Sequence, residues 1–139
     1  MIKIFVTGAT GFVGSHLVDK LLEDNRNIIY CLVRKSSDLQ WLKNKPVNLI
    51  YGGLDMDLTP ELKEVLDNCD YIYHIAGAVK GLAKNDYYNI NVAGTKNLLD
   101  FIVHSGSQLK KFIFVSSLAA SGPGKNENII TEDDFEKML

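Results

Sequence analysis

A chain of 139 residues, 46% apolar and 23% charged, is long enough to bury one sizeable core and has the composition of an ordinary globular domain. With a formal net charge of -2 it carries no basic footprint for nucleic acid, and no apolar run is long enough to cross a membrane. The apolar start, Met1 to Val6, is too short for a signal peptide and lacks a small-residue cleavage site, so it reads as a first strand of a protein expected in the cytoplasm.

In chain order, Lys3–Val6 is strand-like. Phe12–Asp24 follows as a helix, with Val13, Leu17, Val18, Leu21 and Leu22 recurring on one face. Ile28–Val33 is a continuous apolar run, the pattern of a strand covered on both faces. Asp38–Lys43 reads as a short helix, and Val47–Tyr51 as a third strand ended by Gly52-Gly53. Thr59 and Pro60 supply an N-cap and a first-turn proline for the next helix. Tyr71–Ile75 is a fourth strand. Ala83–His104 is a long helix with Tyr87, Ile90, Gly94, Leu98 and Phe101/Ile102 inward, and Phe112–Val115 is a fifth strand. Strands alternating with crossover helices define an α/β fold, a doubly wound parallel sheet of about five strands. Two organisational units are expected: residues 1–122 as the sheet-and-helix domain, and 123–139 as a turn-rich segment leading into a helix. Cys31 and Cys69 read as two buried thiols rather than a disulfide.

Chemistry enters first at VTGATGFVGSHL, Val6 to Leu17. Gly8, Gly11 and Gly14 fall between a strand and an amphipathic helix. There, the first glycine permits a tight turn, the second lets backbone approach a pyrophosphate, and the third lets the helix pack closely. Free N–H groups and the helix dipole would hold the anion, with Thr10, Phe12 and Val13 completing the loop. No Gly-Lys-Ser/Thr follows, so the stretch is not a P-loop. No group of His, Cys and carboxylates has metal spacing, and His74, inside a strand, reads as a core residue.

Thr7 to Gly14 resembles the Thr-Gly-x-x-Gly-x-x-Gly motif of the extended short-chain dehydrogenase/reductase family. DYIYHIAGAV (Asp70–Val79), NVAGTKNLL (Asn91–Leu99) and FIFVSSLAASG (Phe112–Gly122) resemble its fourth strand, following helix and serine loop, in order. The likeness is greatest to the epimerase/dehydratase, dihydroflavonol-reductase and 3β-hydroxysteroid-dehydrogenase branch. It implies that residues 1–122 form a Rossmann-type domain that binds NAD or NADP, in an enzyme that transfers hydride to or from a small alcohol, ketone or nucleotide-sugar.

An NAD site usually has an acidic residue after the second strand; here CLVRKSS places Arg34 and Lys35 there, with Ser36 able to add a hydroxyl. Cations in that place suit a 2′-phosphate, and the expectation is NADP, with NAD as the alternative. The resemblance puts adenine recognition on Asp55 and Met56; the other reading is an acidic loop with Met56 in the core. It also brings the ribose close to Ala76, Gly77 and Ala78. Asn91 either bridges backbone groups or acts directly. Ser117 takes the catalytic serine's place, with Ser116 toward the cofactor, or else Ser117 is a helix-capping or strand-end serine. The family's Tyr-x-x-x-Lys occurs nowhere in the 139 residues. IITEDDF resembles the acidic turn before that tyrosine, so the expected fragment is inactive alone. The alternative is a non-catalytic redox-sensor module. An unpaired fifth strand would favour a homodimer.

Overall fold

The computed structural model describes residues 1–54, 58–78, 87–105, 107–117 and 120. The first strand, β1 (Ile2–Thr7), is buried from Ile4 to Thr7. Its side chains alternate between the two faces of the sheet, so a continuous apolar run is what a doubly covered strand requires. β2 (Asn27–Val33) and β4 (Tyr71–His74) flank it, and β3 (Asn48–Tyr51) and β5 (Lys111–Phe114) lie outside them. The order β3-β2-β1-β4-β5 is parallel throughout. Thr7 of β1 stands level with Leu32 of β2 and His74 of β4, so the strands end together and their following loops gather on one edge.

Two cores result. On one face Phe5, Leu32, Ile50 and Ile72 pack against Leu62 and Leu66 of helix α2 (Pro60–Asp67) and Leu98 of helix α3 (Gly94–Ser105). On the other, Ile4, Val6, Ile29, Cys31 and Val33 pack against Val18 of helix α1 (Phe12–Leu22) and Leu42. Each large side chain removed from water contributes about 1.5–3 kcal/mol. The sheet's other end is fastened by Asp70. Its carboxylate accepts the Lys3 N–H at 2.8 Å and pairs with Lys110 Nζ at 2.8 Å. Lys110 holds that carboxyl below the usual carboxylate range.

Both expected helix signals at Thr59-Pro60 are realised: Thr59 Oγ1 accepts the Leu62 N–H at 3.2 Å, and Pro60 opens α2. The short helix expected over Asp38–Lys43 is not formed; the segment is a run of turns. Asp38 Oδ1 accepts the Gln40 N–H at 2.9 Å, a local alternative to helical bonding, and Asn44 adopts φ 63°, which ends any right-handed course. α1 stops at Leu22 rather than Asp24, because the Asp24 carboxylate takes the backbone N–H of Arg26 at 3.0 Å. The long helix is also not uniform. Tyr88–Ala93 is π-helical, and the Gly94 N–H bonds to the carbonyl of Asn89, five residues back. Gly94 and Leu98 are buried on its inner face. The expected helix start at Ala83 and the whole segment from 121 onward lie outside the described residues.

Candidate functional site

The turn after β1 is built by close backbone contacts. Gly8 has φ 73°, and a Cβ there would lie 2.7 Å from the Ala76 amide nitrogen. A Cβ on Gly14 would lie 2.1 Å from the Gly8 carbonyl oxygen, so α1 can sit this near to the turn only without a side chain at Gly14. Gly11 N–H bonds to that same carbonyl at 3.0 Å and closes the loop. Gly11 is the N-cap of α1 and has no side chain to offer, and no acidic residue stands in the first turn. The first-turn amides of Phe12, Val13 and Gly14 therefore lack intrahelical acceptors, and all three residues line a cavity of about 590 Å³.

That cavity lies at the edge where the strands end. Gly8, Thr10 and Gly11 form one wall with the start of α1. Ala76, Gly77 and Ala78, after β4, form another with Ile90. Arg34 and Ser37, after β2, stand at one end, and Gly52, Gly53 and Leu54, after β3, complete the lining. The turn that carries Arg34 is stabilised by two bonds: Arg34 N–H to Ser37 Oγ at 3.0 Å, and Ser37 N–H to the Arg34 carbonyl at 2.9 Å. The Arg34 side chain is exposed and forms no ion pair among the described residues. Asn91 fixes the far wall, its Oδ1 accepting the Ala78 N–H at 2.7 Å and its Nδ2 donating to the Ala78 carbonyl at 3.2 Å.

Ten of the residues singled out in the sequence thus meet around one space: the glycine-turn set (Gly8, Thr10, Gly11, Phe12, Val13, Gly14), Arg34, and Ala76 to Ala78. Lys35 is exposed on the Arg34 turn but does not line the cavity. Ser37, not Ser36, is the serine that does. Ser116 and Ser117 are exposed beyond β5 and do not line it either. Asp55 and Met56 lie outside the described residues. Gly52, Gly53 and Leu54 were not singled out as site residues, although the Gly-Gly pair after a third strand was a usable signal of close approach.

His74 had read as a core residue, and it is 1% exposed, but both ring nitrogens have polar partners. Nδ1 lies 2.7 Å from Thr7 Oγ1, and Nε2 lies 2.8 Å from Thr95 Oγ1. Burial pushes its pKa below the ordinary histidine value. Cys31 and Cys69 are free, buried thiols, and burial pushes both up to about 12. Among the described residues no cluster could hold a metal, and no helix is long and apolar enough to cross a membrane.

A parallel sheet in this order, with a glycine turn feeding a helix at its central strand, defines a Rossmann-type dinucleotide-binding architecture. The chain belongs to the NAD-dependent epimerase/dehydratase family, whose model matches residues 4–138. It is 30% identical to a UDP-glucose 4-epimerase of Vibrio cholerae over 96% of its own length and 42% of the relative's. A 3 beta-hydroxysteroid dehydrogenase type 7 of Mus musculus is 32% identical over 85% of this chain and 33% of its own. Among solved structures, the UDP-glucuronic acid 4-epimerase of Bacillus cereus in complex with NAD superposes with a TM-score of 0.71 at 28% identity, covering 89% of this chain and 43% of that one. The chain thus spans well under half the length of the relatives it matches.

Proposed function

We propose that this chain is the cofactor-binding part of an extended short-chain dehydrogenase/reductase and that it takes NADP(H) in the cavity between the glycine turn and Ala76–Ala78. The observation that carries the reading is the Gly8–Gly14 turn, packed backbone to backbone, which leaves first-turn amides at a cavity edge where a pyrophosphate would sit. Phe12 is 77% exposed and Val13 55% exposed, an apolar lip that a bound nucleotide would cover. Bound cofactor supplies or accepts hydride at the nicotinamide. This chain's residues bind and orient it: Thr10, Gly11 and Gly14 at the phosphates, Arg34 at the ribose end, and Ala76 to Ala78 against the second ribose.

Preference for the 2′-phosphorylated form rests on Arg34. A planar guanidinium matches phosphate oxygens through paired donors, and here it has no competing carboxylate among the described residues. Lys35 adds positive charge on the same turn, and Ser37 lines the cavity beside Arg34. Adenine recognition by Asp55 and Met56 belongs to the same reading. Ser117 would hydrogen-bond a substrate oxygen, with Ser116 toward the cofactor. The parent reaction would be reversible hydride transfer on an alcohol, ketone or nucleotide-sugar. Within these 139 residues no Tyr-x-x-x-Lys pair exists to exchange the proton, so the chain by itself is proposed to bind without turnover.

Calorimetric titration with NADPH and with NADH tests the reading. Tighter binding of NADPH that falls to the NADH level in Arg34→Ala supports it. Equal binding of both forms, unchanged by that substitution, removes the assignment of Arg34. Binding of neither removes the cofactor role itself.

A further inference from the structure

We infer that His74 is a positioning residue: held between Thr7 and Thr95 as the neutral Nε2–H tautomer, it ties the glycine turn to α3 and so fixes the walls of the dinucleotide cavity. The inference rests on the cofactor reading for its purpose, but its geometry is independent of that reading.

Counting donors and acceptors fixes the direction of every bond. Thr7 Oγ1 accepts the backbone N–H of Ala76 at 3.1 Å and shares that of Ile75 at 3.2 Å. Both acceptor positions of the hydroxyl are then occupied, so its single proton is left to donate. The remaining partner is His74 Nδ1, 2.7 Å away, which must therefore be the unprotonated nitrogen. Nε2 consequently carries the proton and donates to Thr95 Oγ1 at 2.8 Å. Thr95 in turn donates to the Asn91 carbonyl at 2.8 Å. The opposite tautomer would press a third donor onto Thr7 Oγ1 and leave the Thr7 proton with no acceptor among the described residues.

The relay's ends explain why a histidine stands where an aliphatic side chain would pack without any polar group to satisfy. One end is Thr7, the residue before Gly8, whose hydroxyl also gathers the first amides of the β4 loop. The other end is Asn91, whose side chain grips Ala78 further along that loop. Asn97, two residues after Thr95, donates through Nδ2 to the Leu54 carbonyl at 2.8 Å, and Gly94 packs on Leu54 with only 3.3 Å for a Cβ. A single helical segment thus fastens the loops after β1, β3 and β4, all of which line the cavity. His74 is the link that reaches β1, through the interior of the sheet.

The test uses the chain as it stands, with Thr95→Val to remove the hydroxyl and Thr95→Ser to restore it. In the wild-type chain, nitrogen NMR at pH 7 is expected to show His74 neutral with the proton on Nε2. In Thr95→Val, amide exchange at Ala76 and Ala78 is expected to rise at least tenfold while exchange at Ile29 in β2 stays unchanged. Dinucleotide affinity is expected to fall about tenfold in the same variant, and Thr95→Ser is expected to return both towards wild type. An Nδ1–H tautomer or an imidazolium at pH 7 overturns the relay. So does unchanged loop exchange in a folded Thr95→Val, or wild-type dinucleotide affinity in that variant. If the wild-type chain binds neither NADH nor NADPH, the cofactor reading fails, and the tautomer and the exchange rates still decide the relay. The tautomer measurement needs no variant, so failure of Thr95→Val to fold leaves the inference exposed to refutation.

Discussion

Gly14→Ala separates two opposed expectations. Helix propensity alone favours alanine over glycine inside a helix by about 1 kcal/mol. The structure puts the new Cβ 2.1 Å from the Gly8 carbonyl oxygen, 2.7 Å from the Gly8 carbonyl carbon and 2.9 Å from the Ala9 Cα. All three obstacles are backbone atoms of the turn, so no side chain can rotate away. An ordinary carbon–oxygen approach is roughly 3.3 Å, so the first turn of α1 must withdraw from the turn by about 1 Å. Overpacking that forces backbone shifts costs about 3 kcal/mol at the upper end of the usual range, which leaves a net loss of about 2 kcal/mol after the propensity gain. For a chain of this size that corresponds to a fall in Tm of roughly 8 °C. Thermal unfolding followed by circular dichroism measures it. A Gly14→Ala protein that melts at or above the wild-type temperature would refute the reasoning, because it would mean that α1 does not pack against the Gly8 carbonyl.

Two further outcomes follow from the buried groups. The unfolded chain protonates a histidine near 6.5, whereas buried His74 resists protonation until a lower pH. Stability is therefore full above about pH 7 and declines as pH falls through 6.5 toward the folded pKa, so the urea midpoint should be lower at pH 5.5 than at pH 7.5. His74→Gln should flatten that dependence, and an unchanged wild-type midpoint would contradict the neutral assignment. Cys31 and Cys69, pushed up to about 12 by burial, should resist a thiol reagent at pH 8 in the native chain and react when it is unfolded in urea. Rapid labelling of the native protein would count against the buried environments.

What could be read from the sequence was local. β1, the glycine turn and α1 are contiguous, and the need for glycine at 14 is set by Gly8 and Ala9, a few residues away along the chain; at 8 the positive φ is local, whereas the Ala76 backbone that a Cβ would meet comes from the loop after β4. The same locality made Thr59-Pro60 a dependable helix start. Asp38–Lys43 misled because its apolar spacing suits a helix, while the Asp38 side chain competes for the Gln40 amide and Asn44 turns left-handed. On the turn after β2, charge pattern singled out Arg34, which lines the cavity, but not which serine would do so. The Ser37–Arg34 turn bonds decide that, and spacing alone does not show them. The relay was illegible for a different reason: Thr7 and His74 are 67 residues apart, and only the parallel register of β1 and β4 sets them side by side. A histidine in an apolar strand looks like core until its two neighbours are known.

The proposed dinucleotide site is the cavity at the carboxyl ends of the strands. Amide chemical-shift mapping of the nitrogen-labelled chain during addition of NADPH tests it most directly. Shifts concentrated at Gly8–Gly14, Arg34–Ser37 and Ala76–Ala78 are expected. No shifts, or shifts centred instead on another cavity of about 380 Å³ at the opposite end of the sheet, lined by Lys3, Tyr30, Glu61 and Glu64, would contradict it.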